Sequence, residues 1–529
     1  MNALVVWVRL ELRRRVRSLA VLALLVALAT ATVLTAVAGA RRGSTAIDRL
    51  LAETKPATIA VLPNEPGFDW DAVAAIPGVE AIARFPLSAY EVEGLPADEA
   101  VDFAWVDPSI MDTIERPVVL EGRLADPSRD DEAVITGAFE GTYGKGVGDT
   151  VTIKLFTVEQ LDASDLFAPE GAEGPRIEAR IVGVVRSPWF SDVNDASGGH
   201  LIPSPGLFAA HEANLLGSTG DVIYVNALVR LEGGGAAIPA FREQLAEVSG
   251  RRDIEFFDMV AMEAHASDVA DFEADSLMAF ALAAAVASLF LIGQSVARYT
   301  VGATADLQVL RAFGMPPTHV RTGAAVGPFV AATVGALVGG TVSVALSSRF
   351  PIGSVAPLEP APGRDVDLLV LAVGLVAIPI LVGGGALFTA WRSVSREAQR
   401  RGSALASLAA RWGAPIPLSV GTRFALERGR GNQAVPVRPA LVGAAVGVLG
   451  VVAALTFADG VSDAAANPER FGQVFQLQSF FGFNGEDFVP VDDVLEAFAA
   501  DPDIAAVNDS RQTVAESGSV DIPVFSFDP

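Results

Sequence analysis

Five long apolar stretches dominate the chain, at 19–40, 277–296, 322–347, 366–390 and 440–457. Each supplies the roughly 20 helical residues, rising about 1.5 Å apiece, that a hydrocarbon layer of about 30 Å requires. No Asp, Glu, Lys or Arg lies inside any of them, and Asp367 sits only at the edge of the fourth. One charge at mid-bilayer costs about 2.5–3.5 kcal/mol on insertion scales, so the pattern predicts five membrane spans without an ion relay. Small residues recur four apart at Gly323/Gly327, Gly335/Gly339 and Gly443/Gly447. That spacing lets helix backbones approach closely. Pro379 is expected to kink the fourth span.

Between the first and second spans the periodicity changes. Short β-rich, partly alternating runs at 57–62, 78–85, 101–106, 132–136, 150–156, 180–185 and 222–231 are separated by turn residues, and helical patterns stand out at 71–76 and 238–248. An α+β domain of roughly 200 residues follows. The polar, helix-compatible stretches 41–53 and 262–276 read as membrane-proximal extensions that carry it. The predicted fold class is therefore a membrane α-helical bundle with a large extracytoplasmic α+β domain inserted between the first and second transmembrane helices.

Charge sets the predicted sidedness. The chain carries a net charge of -25, and residues 41–276 hold 42 acidic and 17 basic residues, so this one region accounts for the whole imbalance. Arg9, Arg13, Arg14, Arg15 and Arg17 precede the first span, and nine arginines from Arg392 to Arg438 separate the fourth from the fifth. The excess of arginine in these short flanks places both inside the cell. The expected order is then a cytoplasmic amphipathic helix at 1–18, a span at 19–40, an extracytoplasmic domain with its stalk at 41–276 and a span at 277–296. A cytoplasmic segment at 297–321, a span at 322–347, an outer loop at 348–365 and a span at 366–390 come next. A basic cytoplasmic linker at 391–439, a span at 440–457 and an extracytoplasmic region at 458–529 complete it. The first span is longer than the apolar core of a secretory signal, so it is read as retained. The location implied is the plasma membrane of a bacterial cell.

The chain resembles itself. Residues 68–82, with Trp70, Ile76, Pro77, Gly78 and Val79, are matched by 488–507, with Val494, Phe498, Pro502 and Ile504. Residues 101–108 are answered by 522–529, and the Arg-flanked lead at 9–13 by 423–428. A second repeat unit is therefore expected to start near Val420 and to break off at Pro529. Repeat arithmetic gives a whole polypeptide of roughly 800 residues.

Several chemistries have no residues to carry them. Cys is absent, which removes disulfides, thiol catalysis and Cys-based zinc sites. The acidity argues against nucleic acid as a partner. No stretch fits the phosphate-binding loop, since Gly144-Lys145-Gly146 lacks the spacing. His200, His211, His265 and His319 form no pair at metal-ligand spacing, and Asp130-Asp131-Glu132 reads as loop charge. No nucleophile motif is present. Catalytic residues, cofactor-binding residues and metal ligands are all expected to be none, and the chain is expected not to be an enzyme.

One cytoplasmic stretch carries a recognisable pattern. Ala305-Asp306-Leu307-Gln308-Val309-Leu310-Arg311-Ala312-Phe313-Gly314-Met315 resembles the coupling motif of FtsX-like permeases of ABC transporters. Asp306 stands where Glu is usual, and Pro316-Pro317 follows. In the outer domain, residues 121–124, 130–136, 146–151 and 180–185 resemble, in order, the signatures of a MacB-type periplasmic core domain. The resemblance implies the permease subunit of an ABC transporter, passing the motion of a dimeric cytoplasmic ATPase to the outer domain, with export or lipoprotein or lipid extraction as the output. Its alternative is a non-transporting transmembrane regulator of cell-envelope enzymes that uses the same ATPase. The implied coupling helix comprises Asp306, Leu307, Leu310, Arg311, Ala312, Phe313 and Gly314, with Leu307, Leu310 and Phe313 on the side that enters a groove of the ATPase. The other implied partners are the lipid bilayer and an extracytoplasmic cargo or wall hydrolase.

Overall fold

A computed structural model of the chain describes residues 3–87, 90–95, 103–163, 171–192, 198–219, 223–395, 415, 417, 437–467, 470, 475–477, 479, 482–483, 486–487, 490–517 and 520–527. Helices α1 (Ala3–Arg14), α2 (Val16–Ser44) and α3 (Ala46–Glu53) come first. A mixed region follows: β1 (Ile59–Leu62), α4 (Trp70–Ala74), β2 (Val79–Pro86), β3 (Glu91–Val92), β4 (Val118–Gly122), β5 (Glu132–Ile135), α5 (Gly137–Tyr143) and β6 (Thr150–Lys154). It continues through α6 (Val158–Asp162), β7 (Arg176–Arg186), β8 (Leu201–Pro203), α7 (Pro205–His211), α8 (Ala213–Leu216), β9 (Val225–Leu231), α9 (Ile238–Ser249) and β10 (Glu255–Asp258). Four long helices, α10 (Met259–Ala312), α11 (Pro317–Leu346), α12 (Leu368–Ser395) and α13 (Val437–Ala466), precede β11 (Gly482–Phe483), β12 (Glu486–Asp487), α14 (Val491–Ala500), β13 (Ser510–Ser517) and β14 (Val520–Phe527). The chain divides into two compact units, Met1–Arg49 with His265–Gly472 and Leu50–Ala264 with Gln473–Pro529.

The first unit is helical, and α2, α10, α11, α12 and α13 are each long and apolar enough to cross a membrane. The protein is thus a membrane-spanning helical protein with an additional β-sheet region. Packing is closest between α2 and α11. A side chain on Gly335 would come within 2.5 Å of the Ala23 carbonyl oxygen, and one on Gly339 within 2.5 Å of that of Ala27. Two small residues four apart therefore face two small residues four apart, and the backbones touch where a methyl group would intervene. Gly327 makes room for the Tyr299 side chain of α10, and Gly443 of α13 lies against Phe290, whereas among the described residues nothing lies within 4 Å of a Cβ at Gly447. The helix α12 runs unbroken through Pro379, and α11 contains Pro328.

In the second unit, two sheets share a core. The antiparallel sheet has the order β10-β1-β9-β2. Ile59 and Val61 pack with Trp70, Val73, Phe241 and Leu245 of α4 and α9, while the alternate residues Ala60 and Leu62 pack with Val134, Val182, Val185 and Ile202 of the other sheet. All four residues of β1 are buried, because period-2 alternation sends them to two different hydrophobic layers. Local capping fits the chemistry: the Asp69 carboxylate accepts from the Ala72 amide at 3.0 Å, and Thr157 with Gln160 forms a reciprocal box around α6.

The second sheet is built on β7, which pairs with β6 and β4 antiparallel and with β5 parallel. Here the four ordered signatures of the sequence converge. Arg123 N donates to Val182 O (2.9 Å), Arg180 N to Asp131 O (2.8 Å), Gly148 N to Ile181 O (2.8 Å) and Ile181 N to Asp149 O (2.9 Å). Gly122, at φ 73°, is paired with Gly183, and a Cβ on either would strike the opposing backbone. Arg123 also clamps Glu132 with two hydrogen bonds of 2.7 and 2.6 Å, which, with the Asp126 amide and Arg129, holds that carboxyl down at about 2. The buried Glu115 accepts from Ala57 N, Ser187 Oγ and Trp189 N, tying β1's entry to the segment after β7, and burial pushes its carboxyl up.

Some expectations need correction. The run 101–106 is not a strand over its described part, residues 103–106. Its Phe103 and Trp105 instead join Phe85, Trp189 and Phe190 in an aromatic cluster. The matching 522–527 lies in β14, so the two members of that repeat pair differ in conformation, whereas both 70–74 and 491–500 are helical. The start of the second repeat near Val420 and nearly all of the basic linker 391–439 lie outside the described residues.

Two outcomes test this packing. Gly339→Leu should separate α2 from α11 and cost roughly 1–3 kcal/mol of bundle stability, read by thermal unfolding in detergent, whereas Gly447→Leu should cost little. Because the Glu132 carboxyl is depressed, its contribution is present above the ordinary carboxylate value near 4.5 and fades as pH falls towards about 2. The protection of β5 and β7 amides against hydrogen exchange, taken relative to the intrinsic exchange rate at each pH, should therefore fall across that acid window, and Glu132→Gln should remove this component.

Candidate functional site

The sequence places the candidate site at Asp306–Gly314, and the structure gives it a specific form. No separate short helix exists there: the segment is the last turns of α10, a single helix from Met259 to Ala312. The helix stops in a Schellman turn. Met315 N donates to Leu310 O (3.3 Å), Gly314 N donates to Arg311 O (3.0 Å), and Gly314 takes φ 92°, which glycine reaches without strain. Pro316 and Pro317 then start α11.

Burial reverses part of the expected face. Leu307 is 0% exposed in the bundle core with Tyr299, Ala303, Val320 and Ala324, and Leu310 and Met315 pack against the same cluster. The spacing 296, 299, 303, 307, 310 is an inward helical stripe, so Leu307 and Leu310 do not share an outward side with Phe313. Phe313 is 85% exposed, because the turn at Gly314 tucks Met315 inward and leaves the preceding side chain outside. Val309, four residues earlier and 61% exposed, lies on the same side with Ala305, Gln308 and Ala312. The outward surface is thus Val309–Phe313, flanked by exposed Asp306 and Arg311. Val309 was missed because the family pattern draws attention to the leucines, although its i,i+4 relation to Phe313 was readable.

Two ionic nodes mark the ends of α2. At one end Arg15 contacts Glu11 (3.0 Å) and Asp306 (2.6 Å), and its guanidinium lies 5.4 Å from the centre of the Tyr299 ring. Tyr299 donates to Glu11 at 3.2 Å. At the other end the buried Arg42 donates to the carbonyl oxygens of Ser347 (2.9 Å), Ala361 (2.6 Å) and Gly363 (2.9 Å) and lies 3.4 Å from Glu359. Arg49 adds a two-pronged pair to Glu359 at 2.8 and 2.9 Å. Burial alone would push the Glu359 carboxyl up, yet the hydrogen bonds and field of Arg49 and Arg42 hold it below its ordinary value. Arg41 pairs with Asp367 at 2.8 Å, and Asp367 caps α12 through the amides of Leu369 and Val370. At 1.5 Å per residue the two nodes stand about 40 Å apart along α2, the thickness of a bilayer with its headgroups.

Removing a partner from the buried node should cost far more than trimming its rim. Glu359→Ala, which leaves Arg42 buried without its counter-charge, should lower bundle stability by about 3–5 kcal/mol. Arg49→Ala, at a half-exposed position, should cost under about 1 kcal/mol. Equal losses in thermal unfolding would contradict this ranking.

Comparison with known proteins returned no matching family model and no matching curated protein.

Proposed function

We propose that this chain is the membrane subunit of an ATP-driven mechanical transmission system, similar to the permeases of FtsX/MacB-like ABC transporters. The observation that supports it best is α10: one unbroken helix of 54 residues that follows strand β10 and ends in an exposed apolar turn. In this reading a helix of that length, about 80 Å, acts as a rod. A soluble ATPase gripping Val309 and Phe313 would displace the whole rod, and the far end of the rod begins directly after a sheet strand.

The charge-free spans favour this reading over a polar substrate path, since moving an ion or polar solute through a bilayer needs ionisable or hydrogen-bonding groups inside it. The proposed output is work on material outside the membrane, export or extraction of lipophilic cargo, with the arginine-flanked side of the spans facing the cytoplasm. The chain itself performs no chemistry in this scheme. Nucleotide hydrolysis belongs to the partner.

The test uses substitutions that spare the core. Phe313→Asp and Val309→Asp alter exposed side chains, whereas Leu307→Asp would break the bundle. Tagged full-length protein, cross-linked in its native membrane and purified, should bring down a nucleotide-hydrolysing subunit with a phosphate-binding loop. The Phe313→Asp variant should lose it by at least roughly tenfold, as expected for an apolar anchor at the centre of an interface, with unchanged thermal stability. Capture that is equal in wild type and variant would overturn the proposal.

A further inference from the structure

The node around Arg15 joins the junction of the N-terminal helix α1 and α2 to the last turns of α10, some 290 residues further along the chain. We propose that Arg15 is the positioning residue of the outward Val309–Phe313 turn, holding α1 and the end of α10 as one mechanical piece. This inference rests on the docking role proposed above.

The geometry is specific. Glu11 and Arg15 stand four residues apart across the junction of α1 and α2, so their side chains meet on one side. Glu11 is itself buried, held between Arg15 and the Tyr299 hydroxyl, which orients the guanidinium from behind. Arg15 Nη2 reaches Asp306, seven residues beyond Tyr299 and therefore on the same side of α10. Gly302 lies between them, and a Cβ there would sit 3.1 Å from an Arg15 nitrogen, so the guanidinium lies directly over this residue without a side chain. Trp7 and Leu12 of α1 pack against the bundle core, while Val5, Val6, Arg9, Leu10, Arg13 and Arg14 are exposed.

The consequence is a division of labour within the acidic-Leu-x-x-Leu-Arg-Ala stretch. Phe313 and Val309 face outward, Leu307 and Leu310 anchor, and Asp306 receives the N-terminal helix. Displacement of the turn by a docked ATPase then displaces α1, and a shift of α1 changes how the turn is presented. Arginine suits this position because its planar fork contacts two carboxylates and a ring at once, which the point charge of lysine does not.

The chain has no cysteine, so introduced ones label uniquely. Spin labels on Leu10→Cys and Gln308→Cys in full-length protein in lipid nanodiscs report the distance between α1 and the turn. The expected result is a narrow distribution that broadens in Arg15→Ala and in Arg15→Asp and narrows again in the exchange Arg15→Asp with Asp306→Arg and Glu11→Gln, the last of which removes the buried like charge beside the new aspartate while keeping an acceptor for Tyr299. A merely structural loss would not be restored by exchanging the charges. Affinity for the co-purifying ATPase should fall roughly two- to fivefold in Arg15→Ala, the range that a part-exposed ion pair supports, and recover in the exchange. A distribution unchanged by Arg15→Ala, or an exchange as broad as the single variant, would overturn the inference. If no ATPase binds the wild type, the docking proposal fails, while the distance distributions still decide whether Arg15 positions the turn.

Discussion

The architecture depends on keeping charge out of a fixed length of helix. Arg15 and Arg42 stand about 40 Å apart along α2, residues 18–40 between them carry no ionised side chain, and each of these two arginines is the centre of its own polar node. A bilayer imposes this arrangement, because a buried guanidinium is tolerable only where carboxylates and carbonyl oxygens satisfy it and the hydrocarbon offers none. Between the nodes, cohesion cannot come from expelling water, since lipid tails are as apolar as leucine. It comes from backbone proximity at Gly335 and Gly339 against Ala23 and Ala27. The charged ends fix where the helices stop, and the small residues fix which helices touch.

That constraint gives α10 its significance. Helix α2 is gripped along its length by α11, but α10 is covered mainly from Ile292 onward, where Val296, Tyr299, Ala303 and Leu307 form its inward stripe. A helix packed firmly at one end and continuous to the other is suited to carrying displacement. The Schellman turn at Gly314 completes it, turning one apolar side chain into the core and the neighbouring one out. In the proposed scheme, docking and anchoring would use the two residues on either side of Gly314.

Most of the fold was legible from period alone. All five apolar stretches lie in long helices, and six of the seven predicted β-rich runs contain strands. The seventh failed for a physical reason: aromatic residues at 103 and 105 alternate with smaller ones because they enter one hydrophobic cluster, and Arg84 with Asp107 fixes the segment where a ladder would otherwise do so. The strands β3, β4, β8 and β10 were missed because each is at most five residues long and owes its conformation to a partner elsewhere in the chain. At the candidate site the segment was legible but its direction was not. Two leucines three positions apart do not say which side of a helix is inward until the stripe at 292–307 is seen to continue into them. Arg15 was legible only as a topology charge and Arg42 not at all, since Asp306 and Ser347, with which they pair, lie some three hundred residues away.

The most direct measurement concerns sidedness. Single cysteines at Asp130 and Phe313, in an otherwise cysteine-free chain, can be challenged with a membrane-impermeant maleimide on intact spheroplasts and again after lysis. The account expects Asp130→Cys to label at once and Phe313→Cys to label only after lysis. Labelling of residue 313 from outside while residue 130 is protected would contradict it, because the exposed turn would then face away from any cytoplasmic motor.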